Sequence, residues 1–372
     1  AQKLKIIALT PTMSQNFSIL THTCIDRNAR RALNNSWWLE ARRDDMKLGT
    51  LKSTTSLDGE LCVISRDLKR AVRVPHIAGY LRQAIEHWDL VEAKLKKVYE
   101  DLNENKLKNI FEVEPSQFHS ALPRTWLFAD GSAFLYHVKL VRQARGAEVP
   151  ASLYTTPLMY QGESGQFLAP TDKIPQIDFS QGTDFEGEVG VITDFVPMGI
   201  SAEKALEHIK LVVLINDVSL RGLIPEELAQ GFGFFQSKPA SALSPFAVTP
   251  DELGASWKEG RLHRPLDVKY NHQFFGNADA GVQHFHFGQL IAHAARTRNL
   301  SAGSLIGSGT VSNEDHSRGS SCLAEKRMIE KVEQGEIKTS FMKDGDHIQI
   351  EMFDDQGQSI FGQISQTVHA NQ

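Results

Sequence analysis

The chain of 372 residues has little cysteine, no long apolar run and no excess of positive charge. Its three cysteines, Cys24, Cys62 and Cys322, are odd in number and widely spaced, which argues against a disulfide framework and against a zinc knuckle. No apolar stretch reaches the roughly 20 residues that a membrane-spanning helix needs. The formal net charge of -5 gives no basic surface for nucleic acid. These absences predict a cytoplasmic protein that binds neither membrane nor nucleic acid.

Two glutamates one residue apart are the most informative feature that is present. Glu186 and Glu188 lie in the segment DFEGEVGVI (residues 184–192), and the composition there predicts a strand over 185–193. Because side chains of a strand alternate between its faces, both carboxylates would point the same way, with Cα atoms about 6.6 Å apart. Like charges this close need a cation between them or open water. For the pair alone, a solvated strand face is the alternative.

Two aspartates are candidates to join this pair. Asp217 follows the apolar run LVVLIN, which predicts a buried strand with a carboxylate at its end, although Asp217 could instead cap the next turn. Asp130 precedes an amphipathic stretch over 133–144 and is predicted to be the N-cap of a helix. His137 would then lie about 10.5 Å along the helix axis from Asp130, so that both could face one cleft. A structural role is the alternative for a lone histidine.

An all-oxygen, strongly anionic ligand set would form if these four carboxylates converge: Asp130, Glu186, Glu188 and Asp217. Oxygen ligands suit a hard divalent cation, and we expect Mg²⁺ or Ca²⁺, with Mn²⁺ as a further candidate. His284 and His286 form a His-x-His pair, but no acidic residue lies in the same run. The alternation with phenylalanines favours the polar face of a strand over a zinc site there.

Cationic groups accompany the acidic set. Arg221 lies four residues after Asp217, and Lys238 stands between an aromatic run and a proline. We expect the loop to hold Lys238 against the protein, where its charge can meet an anionic substrate, and a salt bridge or a solvated charge is the alternative. The glycine-rich segment 303–310 could present backbone amides to an anion. Since it lacks the lysine and the spacing of a phosphate loop, a tight turn after a strand is the alternative.

The order of these motifs resembles the fumarylacetoacetate hydrolase family, in its shorter bacterial form. Asp-x6-His, Glu-x-Glu, Asn-Asp-x-Ser-x-Arg, Ser-Lys-Pro and Gly-Ser-Gly-Thr follow one another over approximately residues 118–366. The resemblance implies that the four carboxylates hold a divalent ion and that His137 is a catalytic base oriented by Glu325. It implies that Arg221 and Lys238 act beside the metal. It further implies the following substrate contacts: Tyr160, Arg145 and Thr310.

The family hydrolyses a carbon–carbon bond of a 1,3-diketo acid, in which the leaving carbanion is tolerable only as an enolate. The resemblance therefore implies cleavage of 4-fumarylacetoacetate to fumarate and acetoacetate, the last step of tyrosine and phenylalanine degradation. Ile224 stands where the animal-type enzyme has a glutamine that holds the leaving group, which weakens this substrate assignment. Acylpyruvate hydrolysis and oxaloacetate decarboxylation are the alternatives within the enzyme class. A non-catalytic binding protein with a structural metal is the alternative outside it.

Three regions are predicted along the chain. Residues 1–45 lack a starting methionine and a sustained period, which indicates a disordered extension, with an extra strand as the alternative. Residues 46–117 predict a small α+β module that packs on a catalytic domain over 118–372. That domain is predicted to contain strands at 185–193, 211–216, 303–311, 347–353 and 358–367 and one helix at 202–209. The resemblance implies an α+β fold, a β-rich roll of mixed sheets, and a homodimer.

Overall fold

The computed structural model of the protein describes residues 45–144 and 148–371. The helices in this part of the chain are α1 (Leu81–Glu86), α2 (Trp88–Asn103), α3 (Leu135–Ala144), α4 (Ala202–Ala205), α5 (Ile224–Gln230), α6 (Phe287–Ala294) and α7 (Leu323–Gln334). The first ten strands are β1 (Lys47–Leu51), β2 (Glu60–Ile64), β3 (Arg70–Arg73), β4 (Phe111–Glu112), β5 (Phe128–Gly131), β6 (Met159–Gly162), β7 (Ile174–Gln176), β8 (Thr183–Asp184), β9 (Gly187–Thr193) and β10 (Ile209–Asn216). The others are β11 (Ser219–Leu220), β12 (Ala242–Leu243), β13 (Phe246–Val248), β14 (Trp257–Lys258), β15 (Arg261–Leu262), β16 (Pro265–Tyr270), β17 (Gln273–Asp279), β18 (Ser304–Gly307), β19 (His347–Glu351) and β20 (Ile364–Ala370).

The largest sheet has eleven strands, in the order β4-β3-β2-β1-β13-β10-β9-β18-β5-β6, with β12 beside β10. It is mixed, because β18 and β5 run parallel while the other pairs, including β9 with β10, are antiparallel. Strand β1 pairs with β2 on one side and with β13 on the other. The region 46–117 is therefore joined to the rest of the chain by main-chain hydrogen bonds as well as by side-chain packing.

Strand β10 shows why the sequence of the central strands is almost continuously apolar. Leu211, Val213 and Ile215 belong to a core that includes residues of α1 and α2, such as Trp88 and Leu95. Val212 and Leu214 lie on the opposite face, in a core shared with the second large sheet. Because both faces of the strand are buried, neither face needs polar residues. The strand predicted over 211–216 is confirmed.

The second large sheet has five strands, in the order β17-β16-β19-β20-β7. Its side chains Val268, Ile348 and Ile350 are fully buried against the same core as β9 and β10. Two sheets that share a core, with helices on the outer face of the larger one, are the arrangement expected when apolar faces must be covered. The predicted α+β fold class with mixed sheets is confirmed. None of the described helices is both long and apolar enough to cross a membrane.

Two local predictions are wrong, and three helices were not predicted. Asp130 is not a helix N-cap, because it lies in strand β5 and pairs with Gly307 and Tyr160, and α3 begins only at Leu135. The pair His284 and His286 is not a strand face. His286 is the N-cap of α6, and its backbone amide donates a hydrogen bond to the side-chain oxygen of Gln289 at 3.0 Å. Helices α5, α6 and α7 are absent from the sequence prediction. The prediction for residues 1–44 falls outside the described residues, as does that for Arg145.

Candidate metal centre and active site

A cavity of about 130 Å³ lies between strand β5, helix α3, the turn after β18 and the segment 221–238, which includes α5. Asp130 comes from β5 and His137 from α3, while Lys238 comes from the loop after α5. The lining residues are Asp130, Gly131, Ser132, Phe134, His137, Val138, Tyr160, Glu186, Arg221, Ile224, Phe234, Lys238, Gly309 and Thr310. The fold thus brings most of the residues named from the sequence to one place.

Three of the four predicted metal ligands converge. Asp130, Glu188 and Asp217 each offer a carboxylate oxygen, and these oxygens lie within 4.8 Å of one another, with all three side chains buried. Asp130 lies on β5, Glu188 on β9 and Asp217 directly after β10. Because β9 and β10 are neighbours and only β18 separates β9 from β5, sheet order alone places the three carboxylates side by side. We refer to them as the carboxylate triad.

Glu188 is the member of the triad that most clearly calls for a cation. Neither of its buried carboxylate oxygens accepts a hydrogen bond from any described residue. Burial raises its pKa well above the usual range, and the nearby Asp130 and Asp217 raise it further. Burial, followed by the charge of Asp217, likewise raises the pKa of Asp130 to about 8. Two buried carboxylates that resist ionisation fit a site that would bind a hard divalent ion.

Glu186, the fourth predicted ligand, is held by other groups. One of its oxygens accepts hydrogen bonds from Arg221 at 2.8 Å and from the Thr310 hydroxyl at 2.5 Å. The other accepts from Lys238 Nζ at 2.6 Å and from the Ser219 hydroxyl at 3.0 Å. Burial opposes ionisation of Glu186, but Arg221 and Lys238 outweigh it and hold its pKa well below the usual range. Glu186 is therefore an ionised neighbour of the carboxylate triad.

Lys238 connects Glu186 to the triad. Its Nζ atom donates to Glu186 at 2.6 Å, to Asp217 at 2.6 Å and to Ser219 at 2.7 Å. Asp217 also accepts hydrogen bonds from the hydroxyls of Tyr160 and Ser241. Burial alone would lower the pKa of Lys238, yet Asp217 and Glu186 raise it above its usual value. The loop holds this lysine against the protein, where two carboxylates already match its charge.

Across the cavity, His137 is oriented by a buried carboxylate. Its Nδ1 atom lies 2.9 Å from Glu325 Oε2, and Glu325 is 1% exposed at the start of α7. The second oxygen of Glu325 has no hydrogen-bond partner among the described residues. A carboxylate that binds Nδ1 selects the tautomer with the proton on Nδ1, which leaves Nε2 as the proton acceptor.

Asp184 is a residue of the site that sequence reasoning missed. It accepts hydrogen bonds from the backbone amides of Leu323 and Ala324 at 2.8 and 2.9 Å, which fixes the start of α7 and hence Glu325. Arg221 Nε donates to the same carboxylate at 2.8 Å. The available signal was the spacing of Asp184, which continues the alternation of the two glutamates by one more step.

Cys322 lies near the site but does not suit the metal. Its Sγ atom, an oxygen of Glu186 and a ring nitrogen of His137 lie within 4.8 Å of one another. The sulfur accepts a hydrogen bond from the backbone amide of Glu325 at 3.3 Å. Burial, with Asp184 nearby, raises the pKa of the thiol well above its usual value, so the thiol stays protonated and is a poor ligand. The carboxylate triad is the better candidate for the ion.

The overall charge balance points the same way. Two cations, Arg221 and Lys238, pair with buried carboxylates. Five buried carboxylates surround these cations: Asp130, Asp184, Glu186, Glu188 and Asp217. If all five are ionised, three negative charges remain uncompensated. Such an excess is unfavourable in a buried site unless protons or a cation neutralise it. A divalent cation would remove most of it.

Gly307 leaves the room that the carboxylate triad needs, and Gly307→Ala is therefore expected to weaken metal binding. A Cβ atom at this position would lie 2.2 Å from Asp130 Oδ1 and 3.1 Å from Glu188 Oε2. Since the pairing of Gly307 with Asp130 fixes both backbones, the carboxylates would have to turn away. We expect at least about a tenfold loss of affinity for Mg²⁺ by calorimetry. Gly79→Ala, a distant change with only a flexible glutamine near the added atom, should leave the affinity unchanged.

The metal-free protein is expected to lose stability as the pH rises. Because the pKa of Asp130 is raised to about 8 and that of Glu188 is raised well above its usual value, the folded state binds protons that the unfolded chain releases at lower pH. This stabilisation is complete below the usual carboxyl range and is lost as the pH rises through the folded pKa. Thermal unfolding in chelator should show a lower midpoint at pH 9 than at pH 6. Saturating Mg²⁺ should reduce that difference, and an equal difference with and without the ion would contradict the expectation.

Comparisons with known proteins agree with this architecture. Residues 127–369 match the family model described as fumarylacetoacetate hydrolase C-terminal, and residues 46–124 match the one described as fumarylacetoacetase N-terminal domain 2. The chain is 29% identical over 215 residues to the fumarylacetoacetase of Caenorhabditis elegans, a match that covers 50% of this chain and 51% of the relative. It is 26% identical over 191 residues to a 2,4-didehydro-3-deoxy-L-rhamnonate hydrolase of a Sphingomonas strain, covering 50% of this chain and 64% of the relative.

The chain thus spans less than two thirds of the length of these two curated relatives. Among solved structures, the maleylpyruvate hydrolase of a Sphingobium strain matches with a TM-score of 0.58 at 14% identity. That match covers 88% of this chain and 100% of the other. At this identity the likeness shows a shared fold.

Proposed function

Since the chain belongs to the fumarylacetoacetate hydrolase family, we propose that it is a metal-dependent enzyme that hydrolyses a carbon–carbon bond of a 1,3-diketo acid. One observation carries this proposal: the His137–Glu325 pair and Asp130 of the carboxylate triad meet at a single cavity. A base beside a cation site is what hydrolysis through an enolate requires. We further propose that the protein is a cytoplasmic homodimer and that its two domains divide at residue 117.

His137 activates water in this scheme. With the proton of the neutral imidazole on Nδ1 and shared with Glu325, Nε2 takes a proton as water adds to the acyl carbonyl. Glu325 holds the ring in place and stabilises the imidazolium that forms. The bond between the acyl carbon and the methylene carbon then breaks, and its electron pair passes to the methylene carbon as an enolate. The imidazolium returns the proton to that carbon, which yields a carboxylic acid and a methyl ketone.

The charge that develops on the enolate must be matched inside the cavity. A divalent ion held by the carboxylate triad, with Glu186 beside it, would supply Lewis acidity for that charge. Arg221 and Lys238 line the cavity, where Arg221 pairs with Glu186 and Lys238 pairs with both Glu186 and Asp217. Tyr160 and Thr310 also line the cavity, as substrate contacts should, although their hydroxyls donate to Asp217 and Glu186.

The His137–Glu325 pair also separates this proposal from its alternatives. Decarboxylation of oxaloacetate forms an enolate without any attack by water, so an oriented base would have no first task there. A binding protein with a structural ion would need neither the base nor the cavity. Both 4-fumarylacetoacetate and acylpyruvates fit the proposed chemistry, because each is a 1,3-diketo acid cleaved by water.

The test is an absorbance assay for loss of the diketone. The rate of absorbance loss would be measured for 4-fumarylacetoacetate, an acylpyruvate and oxaloacetate, each in the presence of Mg²⁺, Ca²⁺, Mn²⁺ or chelator. We expect hydrolysis of at least one diketo acid that depends on the ion and is lost with chelator. A rate that chelator leaves unchanged, or turnover of oxaloacetate alone, would refute the proposal.

A further inference from the structure

The cavity has one wall that the chemistry at the metal does not use. Four of its lining side chains are apolar: Phe134, Val138, Ile224 and Phe234. Phe134 directly precedes α3 and Val138 lies in its first turn, on either side of His137, and Ile224 is the first residue of α5. Phe234 comes from the loop between α5 and Lys238. These four residues form what we refer to as the apolar wall.

The cations that line the cavity are already matched. An ammonium group has three donors, and Lys238 directs them to Glu186, Asp217 and Ser219. Arg221 donates to Asp184 and to Glu186. Among the described lining residues, each cation thus pairs with two carboxylates. In the described part of the cavity lining, no unmatched cation is available to a substrate carboxylate placed against the apolar wall.

The loop that carries Phe234 is held in one arrangement by Glu227 of α5. The Glu227 carboxylate accepts hydrogen bonds from the backbone amides of Phe235 at 3.1 Å, Gln236 at 2.6 Å and Ser237 at 3.3 Å. With the base of the loop fixed, the ring of Phe234 packs edge-to-face on Tyr160, with 5.2 Å between centroids. The next residue, Phe235, points outward and is 85% exposed. The two adjacent phenylalanines therefore differ in whether they face the cavity.

We infer that the apolar wall receives the acyl tail of the substrate, and that this tail is an uncharged alkyl or aryl group. Ile224 and Phe234 are then specificity-determining residues. The inference rests on the proposed function, because the tail belongs to the same diketo acid. A carboxylate buried against isoleucine and phenylalanine without a cation is strongly disfavoured, whereas each added methylene gains affinity. A diketo acid with one carboxylate fits this cavity better than one with a second carboxylate at its far end.

The first test compares acylpyruvates of equal chain length whose tails end in a methyl group or in a carboxylate. With Mg²⁺ bound, we expect kcat/KM to be at least about 100-fold higher for the methyl-ended member of each pair. Equal values, or a preference for the carboxylate-ended member, would overturn the inference.

The second test uses the two adjacent phenylalanines as variant and matched control. Phe234→Ala should lower kcat/KM for a substrate with a long apolar tail by roughly 10- to 100-fold, mainly by raising KM. It should change kcat/KM for acetylpyruvate by less than about threefold. Phe235→Ala removes the same atoms from a solvent-exposed position. Its kcat/KM should stay within about twofold of that of the unmodified protein for all substrates. Ile224→Arg should lower the ratio of kcat/KM for the methyl-ended substrate to kcat/KM for the carboxylate-ended one. Equal effects of Phe234→Ala and Phe235→Ala would refute the role of the wall.

Failure of the inference can be told apart from failure of the proposed function. The same substrate pairs would be titrated by calorimetry into His137→Ala enzyme with Mg²⁺, which should bind without turning them over. Absence of turnover by the unmodified protein on every substrate and metal would refute the proposed function alone, provided that binding still favours the methyl-ended tail. Turnover with the opposite preference, or binding of neither tail, would refute the inference about the wall.

Discussion

Glu188→Gln is expected to abolish the rise in thermal stability that Mg²⁺ produces and to lower the rate of hydrolysis by roughly 10³-fold or more, the effect of losing several kcal/mol of charge stabilisation. The same substitution should make the metal-free protein more stable. The pKa of Glu188 is raised well above its usual value by burial and by three neighbouring carboxylates, those of Asp130, Asp217 and Glu186. An amide of the same shape has no carboxyl group to ionise, so folding no longer buries an ionisable group beside the other carboxylates of the triad.

Glu188→Gln should change the unfolding midpoints of the metal-free and the metal-bound protein in opposite directions. A residue that only supports the fold would lower both unfolding midpoints. Here we expect the midpoint in chelator to rise by about 1–2 °C, which corresponds to about 1 kcal/mol in a protein of this size. The midpoint in saturating Mg²⁺ should fall to meet it. Differential scanning calorimetry at pH 8 measures both values.

The control for this substitution is Glu100→Gln, which makes the same chemical change at an exposed position on α2. It should alter neither midpoint nor the rate. If Glu188→Gln destabilised the metal-free protein and kept a normal response to Mg²⁺, the triad would not be the ion site, and the proposed mechanism would lose its cation.

His137→Ala is expected to reduce kcat by about 10²- to 10⁴-fold, the usual contribution of a general base. Metal binding should stay intact, because the carboxylate triad does not include this residue. Glu325→Gln should have a smaller effect, about 10- to 100-fold, since the amide can still orient the ring but cannot stabilise the imidazolium as well. Steady-state assays for kcat and calorimetry for Mg²⁺ would measure the two properties separately.

Glu330→Gln is the matched control for Glu325→Gln, because Glu330 lies on the same helix and is also buried. Its carboxylate accepts hydrogen bonds from the backbone amides of Lys338 and Thr339 instead of binding a histidine. A small loss of stability with normal kcat is expected for it. The role of His137 as the base would be disproved if His137→Ala kept more than a tenth of the normal kcat with Mg²⁺ bound.

The parts of the site that follow from the sequence are those set by local periodicity. The alternation of a strand is enough to put Glu186 and Glu188 on one side, and an apolar run ending in a carboxylate is enough to put Asp217 at the end of a buried strand. No local pattern shows that Glu186 is bonded to Arg221 and Lys238, 35 and 52 residues away, instead of joining the triad. That difference depends on tertiary contacts.

Asp130 shows how tertiary pairing overrides a local signal. An aspartate before an amphipathic stretch has the features of an N-cap, but residues 128–131 are taken up as a strand by β18, whose residues lie more than 170 positions later. Helix α7 was missed for a related reason. Its buried side includes Glu325 and Glu330 as well as Leu323 and Ile329, so the apolar period is weak. The structure buries Glu325 because His137 and the start of the helix meet there.

Because β1 lies between β2 and β13, the larger region cannot be isolated without exposing the edge of a strand. A fragment starting after residue 117 would leave β13 as an unprotected edge, with the apolar residues beneath α1 and α2 exposed to water. Edges of this kind recruit further strands, and such a fragment should aggregate on expression. Residues 46–371 should instead melt in one cooperative transition, and proteolysis should find no early cleavage point between the two regions.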